Sequence, residues 1–187
     1  MSKGRLFVLS GASGVGKSTI VKALMKKRSD ILFSVSATTR NPRKGEVDGV
    51  HYDFITEEKF RNMIDNNEFL EYDEHSKAFY GTPLAQLEEK LERGDVVLDV
   101  EPAGTKILRE KRPEAILIFI MPPSMEELEK RLRQRGDTDD EQVAIRMERA
   151  GWEMKQAPWY DHVVINDVVE DCVCAIEAII DNKNLEE

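Results

Sequence analysis

Long apolar runs, cysteine and positive charge are all scarce in this chain, and each scarcity closes off a class of function. The longest apolar run, Ala115 to Met121, falls far short of the ~20 residues that a membrane-crossing helix needs. Met1 to Gly4 leads straight into a short apolar segment without a signal-peptide pattern. Membrane insertion and secretion are therefore not expected. The two cysteines, Cys172 and Cys174, stand where a helix would point them to different faces, and no second Cys or His pair lies nearby to complete a zinc site. They read as buried, reduced thiols of a cytoplasmic protein. Basic residues number 27 against 36 acidic ones, and the net charge of −9 opposes non-specific binding to nucleic-acid backbones or anionic lipid. Any phosphate bound here must be held by local clusters of basic residues.

What the 187 residues do contain is enough apolar surface for a core, 41% hydrophobic, combined with 34% charged residues suited to a water-facing surface. Arg5 to Ser10 is a short apolar strand of the kind buried on both faces of a parallel sheet, and Gly-rich residues follow it at once. Ser18 to Arg28 then places Ile20, Val21, Leu24 and Met25 on one helical face. Further strands are predicted at Val96 to Val100, Ala115 to Met121 and His162 to Ile165, separated by helical patterns at Pro83 to Arg93, Gly104 to Arg112 and Ser124 to Arg135. That alternation predicts an α/β fold, a parallel sheet with helices on both faces. Between Leu32 and Thr82 the pattern changes to short strands around one helix starting near Thr56, which predicts a small β-rich insert. Arg131 to Pro158 is dense in charge and predicts a helical flap. Val168 to Ile180 is a final amphipathic helix.

Gly11-Ala12-Ser13-Gly14-Val15-Gly16-Lys17-Ser18 matches G-x-x-x-x-G-K-[ST] at every fixed position and lies between a predicted strand and a predicted helix. Glycines let successive backbone N–H groups converge on phosphate oxygens, and the helix that follows adds its positive N-terminal end. In this P-loop, Lys17 is expected on the β- and γ-phosphates, Ser18 on Mg²⁺ through its hydroxyl, and Thr19 in the same nucleotide-binding segment. Nucleoside triphosphate binding follows, but many switches, motors and kinases share such a loop, so the reaction must be read elsewhere.

Ser34 to Arg43 (SVSATTRNPR), Gly45 to Tyr52 (GEVDGVHY), Glu68 to Glu71 (EFLE) and Phe79 to Thr82 (FYGT), together with the P-loop and the Ile165-Asn166-Asp167 strand ending, resemble the guanylate kinase family across essentially the whole chain. The resemblance implies a P-loop NTPase core (1–33, 83–128 and 159–187), a GMP-binding insert (34–82) and a helical lid (129–158) within a single domain. It implies ATP and GMP as small-molecule substrates, with Mg²⁺, and neither nucleic acid nor membrane as partner; monomer and homo-oligomer both stay open. By the same resemblance Arg40, Arg43, Tyr52 and Tyr80 hold the GMP phosphate, assisted by Ser36, while Glu71 and Thr82 contact guanine. Residue chemistry agrees with this. Two guanidinium forks flanking Pro42 suit one phosphate, and a carboxylate in the apolar stretch Phe69 to Tyr72 needs a donor partner such as guanine offers through N1–H and its amine.

Where the family usually has Asp, any residue, Gln, Gly, this chain reads Glu101-Pro102-Ala103-Gly104. Glu101 keeps the carboxylate expected on guanine, one methylene longer. Asp99 is expected either to orient a metal-bound water or arginine, or to be a polar strand end. In the flap, Arg131 and Arg135 share one helix face, with Arg146 on the next helix; the resemblance makes them catalytic, and an exposed Glu127–Arg131 pair is the alternative. Asn166 lies where the family contacts the ATP base, and Trp152 and Trp159 read as packing residues. A phosphopeptide-binding scaffold module and a kinase of another phosphorylated small molecule are rival functions; the intact Lys17 and Ser18 oppose the first, and the guanine-facing Glu71 and Thr82 oppose the second.

Overall fold

A computed structural model of the chain describes residues 3–75, 77–134 and 140–182. In chain order, β1 (Leu6–Gly11) runs into α1 (Lys17–Lys27), then β2 (Leu32–Ser34), β3 (Ala37–Thr38), β4 (Asp53–Phe54), α2 (Glu57–Asp65) and the pair β5 (Phe69–His75) and β6 (Ala78–Pro83). There follow α3 (Leu84–Leu91), β7 (Val96–Asp99), α4 (Pro102–Lys111), β8 (Ile116–Met121), α5 (Met125–Gln134), α6 (Asp140–Met154), a 3₁₀ turn at Ala157–Trp159, β9 (His162–Ile165) and α7 (Val169–Ile180). The predicted alternation of strand and helix is present, and the chain is an α/β protein whose core strands pair in parallel. The chain divides into two compact units, Met1–Leu6 with Asp30–Ala115, and Phe7–Ser29 with Ile116–Glu187.

In the second unit β1, β8 and β9 pair in parallel, Phe7 opposite Ile116 and Ile118 opposite His162. Every residue of β1 is buried, which is why it reads as an unbroken apolar run, not as an alternating one. Helix α1 buries Ile20, Val21 and Leu24 and packs with α7, which buries Cys172, Val173, Ile176, Ile179 and Ile180. Each of these faces repeats at the three-to-four residue spacing that the sequence displays.

The first unit holds the parallel pair β2–β7 and a second sheet in the order β4-β3-β6-β5, in which β6 runs antiparallel to both β3 and β5. Thr56 caps α2 by accepting a hydrogen bond from the Lys59 amide at 3.2 Å, with Glu57 and Glu58 in the first turn where the helix dipole favours them. Phe60 on α2 stacks on Phe69 with ring centroids 4.3 Å apart and on Phe79 at 5.3 Å, forming a small separate core. No helix among the described residues is long and apolar enough to cross a membrane.

Several details depart from the sequence reading. The short strands expected between Leu32 and Thr82 do not form one sheet: β2 ends at Ser34 and pairs with β7, while β3 joins the second sheet. Helix α4 begins at Pro102, two residues earlier than expected, because proline at the first helical position loses nothing and its ring pre-sets the backbone dihedral. Of the two tryptophans expected to pack, both about half exposed at 50% and 41%, Trp159 packs edge-on against Tyr160, while Trp152 lies on the outer face of α6. Cys172 is buried as expected and Cys174 is exposed, since two residues along a helix turn to different faces. Both are free thiols.

Candidate active site

The Gly-rich loop lies wholly within the second unit and connects β1 to α1, the context its sequence predicted. Gly14 (φ 87) and Gly16 (φ 98) occupy the left-handed region that a β-carbon disfavours, and a β-carbon on Gly14 would stand 2.5 Å from Leu132 Cδ2. Gly16 caps α1, so the loop delivers its amides directly to a helix N-terminus. Lys17 Nζ reaches back to the Gly11 carbonyl at 3.5 Å and is partly exposed; Ser18 and Thr19 in the first turn of α1 are exposed, and Ala12 and Val15 are buried. Two distant side chains brace the loop. Asn166 Nδ2 donates to the Val15 carbonyl at 2.7 Å, and Glu153 Oε2 accepts from the Ser13 amide at 2.7 Å.

A pocket within the first unit is lined by Ser36, Tyr52, Glu71, Asp73, Tyr80, Gly81, Asp99, Val100, Glu101 and Gly104. Five of the residues expected to bind the acceptor are therefore neighbours in space, and Asp99 and Asp73 stand with them. Glu71 is the informative one. It is 5% exposed, and simple alternation along β5 would not by itself turn it inward. The register between β5 and β6 slips between Phe69 and Tyr72. As a result Phe69 and Tyr72, three residues apart, both contact the ring of Phe60, while Leu70 and Glu71 are both buried. Such a bulge places two successive residues where a regular strand has one. Lys111, the last residue of α4, holds the distorted segment by donating to the carbonyls of Leu70 at 2.6 Å and Phe69 at 3.4 Å.

Thr82 Oγ1 donates to Glu71 Oε1 at 2.6 Å, so Thr82, fully buried, acts on the pocket through Glu71 and does not line it. On the other side Gly104 leaves room for the carboxylate: a β-carbon there would lie 2.5 Å from Glu71 Oε2. Burial pushes the Glu71 carboxyl up to about 7, and the nearby Asp73 charge acts in the same direction against the Thr82 hydrogen bond and Lys111. Glu101 sits at the N-cap of α4 without a side-chain capping hydrogen bond, extended as the residue before a proline prefers to be, and it lines the pocket. Four carboxylic side chains, Glu71, Asp73, Asp99 and Glu101, line this pocket and favour a ligand that brings hydrogen-bond donors.

Arg40 and Arg43 occupy the loop after β3, and neither lines the pocket. Arg40 forms a fork with Glu46, Nη1 to Oε2 and Nη2 to Oε1, both at 2.6 Å, and lies over the Tyr52 ring at 4.9 Å. Glu46 Oε2 also accepts from the Arg43 amide at 2.7 Å. These hydrogen bonds, Arg40 foremost, hold the Glu46 carboxyl down to about 2, so it stays ionised throughout the ordinary pH range. Tyr52 and Tyr80 meet edge to face at 5.9 Å. The Arg40 guanidinium is thus held by a carboxylate, Glu46, to which the motif reading gave no role.

Among the flap arginines, Arg131 donates to the carbonyls of Asn166 at 2.8 Å and Asp167 at 3.2 Å and also contacts Glu127 at 3.2 Å, so the expected helical pair exists together with a tie to the end of β9. Arg146 is partly exposed on α6. Arg135 lies outside the described residues. Asn166 is 3% exposed, and its Oδ1 is buried without a hydrogen-bond partner.

Residues 3–183 match the family model described as guanylate kinase. The chain is 46% identical over 177 residues to a guanylate kinase of Prochlorococcus marinus, covering 94% of this chain and 96% of that one, and 46% identical over 179 residues to one of Thermus thermophilus, covering 95% and 81%. A crystal structure of guanylate kinase from Anaplasma phagocytophilum superposes with a TM-score of 0.79 at 32% identity, covering 99% of this chain and 88% of that one. Shikimate kinase from Bacteroides thetaiotaomicron, at 16% identity and a TM-score of 0.50 over 95% of this chain and 98% of that one, shares the fold alone. A match of this extent, at this identity and with the same backbone, leaves one assignment: the chain belongs to the guanylate kinase family.

Proposed function

We propose that the protein transfers the γ-phosphoryl group of ATP to the phosphate of GMP, giving ADP and GDP. The observation that carries this reading is Glu71: a buried carboxylate, inward through a bulge and bordering a pocket with Tyr52 and Tyr80, in a chain that also carries a complete P-loop. Ionised Glu71 offers two acceptor oxygens. Guanine presents N1–H and an exocyclic amine side by side to such a carboxylate, and adenine has no matching pair. Glu101 and Asp99 offer further acceptors in the same pocket; in this reading the base is assigned to Glu71 and Glu101, and its phosphate to Tyr52, Tyr80, Ser36, Arg40 and Arg43. Arg40 would then share its fork between Glu46 and the phosphate.

The nucleophile is a phosphate oxygen with a second pKa of ~6, already largely ionised near neutrality, and needs no general base. Rate enhancement comes from in-line placement and from charge stabilisation, assigned to Lys17 and the flap arginines Arg131, Arg135 and Arg146. The donor is held by the loop amides of Gly11 to Ser18, by Thr19 and, at its base, by Asn166, whose buried Oδ1 is an acceptor seeking a donor. A magnesium ion suits this donor set: Ser18 provides a hard, exposed hydroxyl oxygen, and among the described residues no group of three or more His, Cys, Asp and Glu could hold a metal ion. When bound with ATP it would neutralise phosphate charge and be held chiefly by phosphate oxygens and water. The free thiols suit a reducing cytoplasm.

The test is ADP release with GMP, AMP, CMP, UMP and a ribose phosphate as acceptors. GMP should be preferred over AMP by a factor on the order of 10⁴; comparable use of AMP, or preference for a ribose phosphate, would overturn the guanine assignment.

A further inference from the structure

Helix α6 buries Val143, Ala150 and Glu153 on its inner face. The first two are expected from helical periodicity; the third is a charged side chain left only 1% exposed, which is costly unless both oxygens are engaged. They are. Oε1 accepts from Arg149 Nε at 2.7 Å, one turn back on the same helix, and Oε2 accepts from the amide of Ser13 at 2.7 Å, in the phosphate loop. A neutral side chain could fill that space without the desolvation cost, and a negative charge beside a loop built for phosphates would oppose ATP unless Arg149 balanced it. The arrangement therefore serves geometry.

We propose that Glu153 is a positioning residue for phosphoryl transfer: its carboxylate fixes the Ser13 turn of the phosphate loop and, through Arg149 and the root of α6, the bearing of Arg146. Arg146 stands seven residues before Glu153 and so on the same helix face, ~10 Å along the axis. Anchoring the helix at Glu153 sets which way that guanidinium points. Holding the Ser13 amide shapes the rising half of the loop, just before Gly14 (φ 87), while the Val15 amide is turned back to the Ala12 carbonyl at 3.1 Å. The inference rests on the P-loop being the ATP site.

Steady-state kinetics of the full chain with each substrate varied separately, alongside melting curves, distinguish this role from packing. Glu153→Ala removes the acceptor of two part-buried donors, the Ser13 amide and the Arg149 guanidinium, and should raise the KM for ATP ~10-fold or more and lower kcat by a similar factor, with the KM for GMP within ~2-fold of the unmodified protein. Glu153→Gln keeps an acceptor for Ser13 but loses the ion pair, and should fall between the two. Arg149→Met combined with Glu153→Gln should lose less than the product of the separate losses, because both act through one carboxylate. A Glu153 variant with a lowered melting temperature but unchanged KM for ATP and unchanged kcat per folded molecule would reduce Glu153 to a packing residue; if the alanine variant does not fold, the glutamine variant decides by the same criterion. Failure of the unmodified chain to bind ATP would instead remove the nucleotide-site reading on which the proposal depends.

Discussion

Replacing Glu71 by glutamine tests the acceptor site at its most informative atom pair. The substitution keeps volume and shape in a position that is 5% exposed, so the core should not collapse. Thr82 Oγ1, 2.6 Å from Oε1, will retain the remaining amide oxygen as its acceptor, which turns the new NH₂ toward the pocket. Guanine then meets a donor where it needs acceptors. One charge-assisted hydrogen bond becomes a donor–donor clash and the other loses its charge assistance, so kcat/KM for GMP should fall by ~10³, a barrier change of about 4 kcal/mol. The KM for ATP should stay unchanged, because the phosphate loop belongs to the other compact unit.

The pH behaviour gives the same variant an independent readout. Burial raises the folded Glu71 carboxyl to about 7, above its unfolded value, so the native state holds the proton more tightly than the unfolded chain. Its contribution to stability is therefore complete below the unfolded pKa of ~4.3 and is lost as pH rises through about 7, a change of order 3 kcal/mol. Glu71→Gln should abolish that slope and make the protein relatively more stable at pH 8. GMP binding, which needs the ionised form, should release a proton near pH 6.5, detectable as a dependence of the binding enthalpy on buffer ionisation heat. A glutamine variant that keeps kcat/KM for GMP, or one that loses the stability slope without losing GMP, would refute the pairing of Glu71 with guanine.

Three further expectations follow from the same geometry. Lys17→Ala should leave melting temperature nearly unchanged and remove most transferase activity, since the partly exposed Nζ contributes little to the core; near-normal ADP release would contradict its role. Gly104→Ala gains up to ~1 kcal/mol of helix propensity on α4. Its β-carbon, however, would stand 2.5 Å from Glu71 Oε2 and 2.9 Å from Val100 Cγ1, so calorimetric titration should find GMP binding severely weakened; unaltered affinity would mean that the carboxylate does not need its present position. Lys111→Met frees the bulge carbonyls of Phe69 and Leu70, and should raise the KM for GMP ~10-fold while leaving that for ATP alone; an equal change in both would point to global loosening.

The phosphate loop was legible in the sequence because everything it needs is local: glycines at positive φ, a buried strand before, an amphipathic helix after, all within residues 6–27. The amphipathic faces of α1 and α7 were legible for the same reason, since a helix returns a side chain to the same face every three to four residues and burial selects apolar ones there. Arg40, Arg43, Tyr52 and Tyr80 were identifiable as a set only through resemblance, because no periodicity unites them. What the chain order could not reveal is how distant segments settle each other's ambiguities. Alternation leaves the direction of Glu71 open; the β5–β6 register slip, clamped by Lys111 some 40 residues on, turns it inward. Glu153 sits 140 residues from Ser13, and in a helix as charged as α6 nothing marks it as the buried carboxylate. Local sequence determines which backbone shapes are affordable to each segment, whereas hydrogen bonds between segments, which need both partners already in place, decide where the charges face.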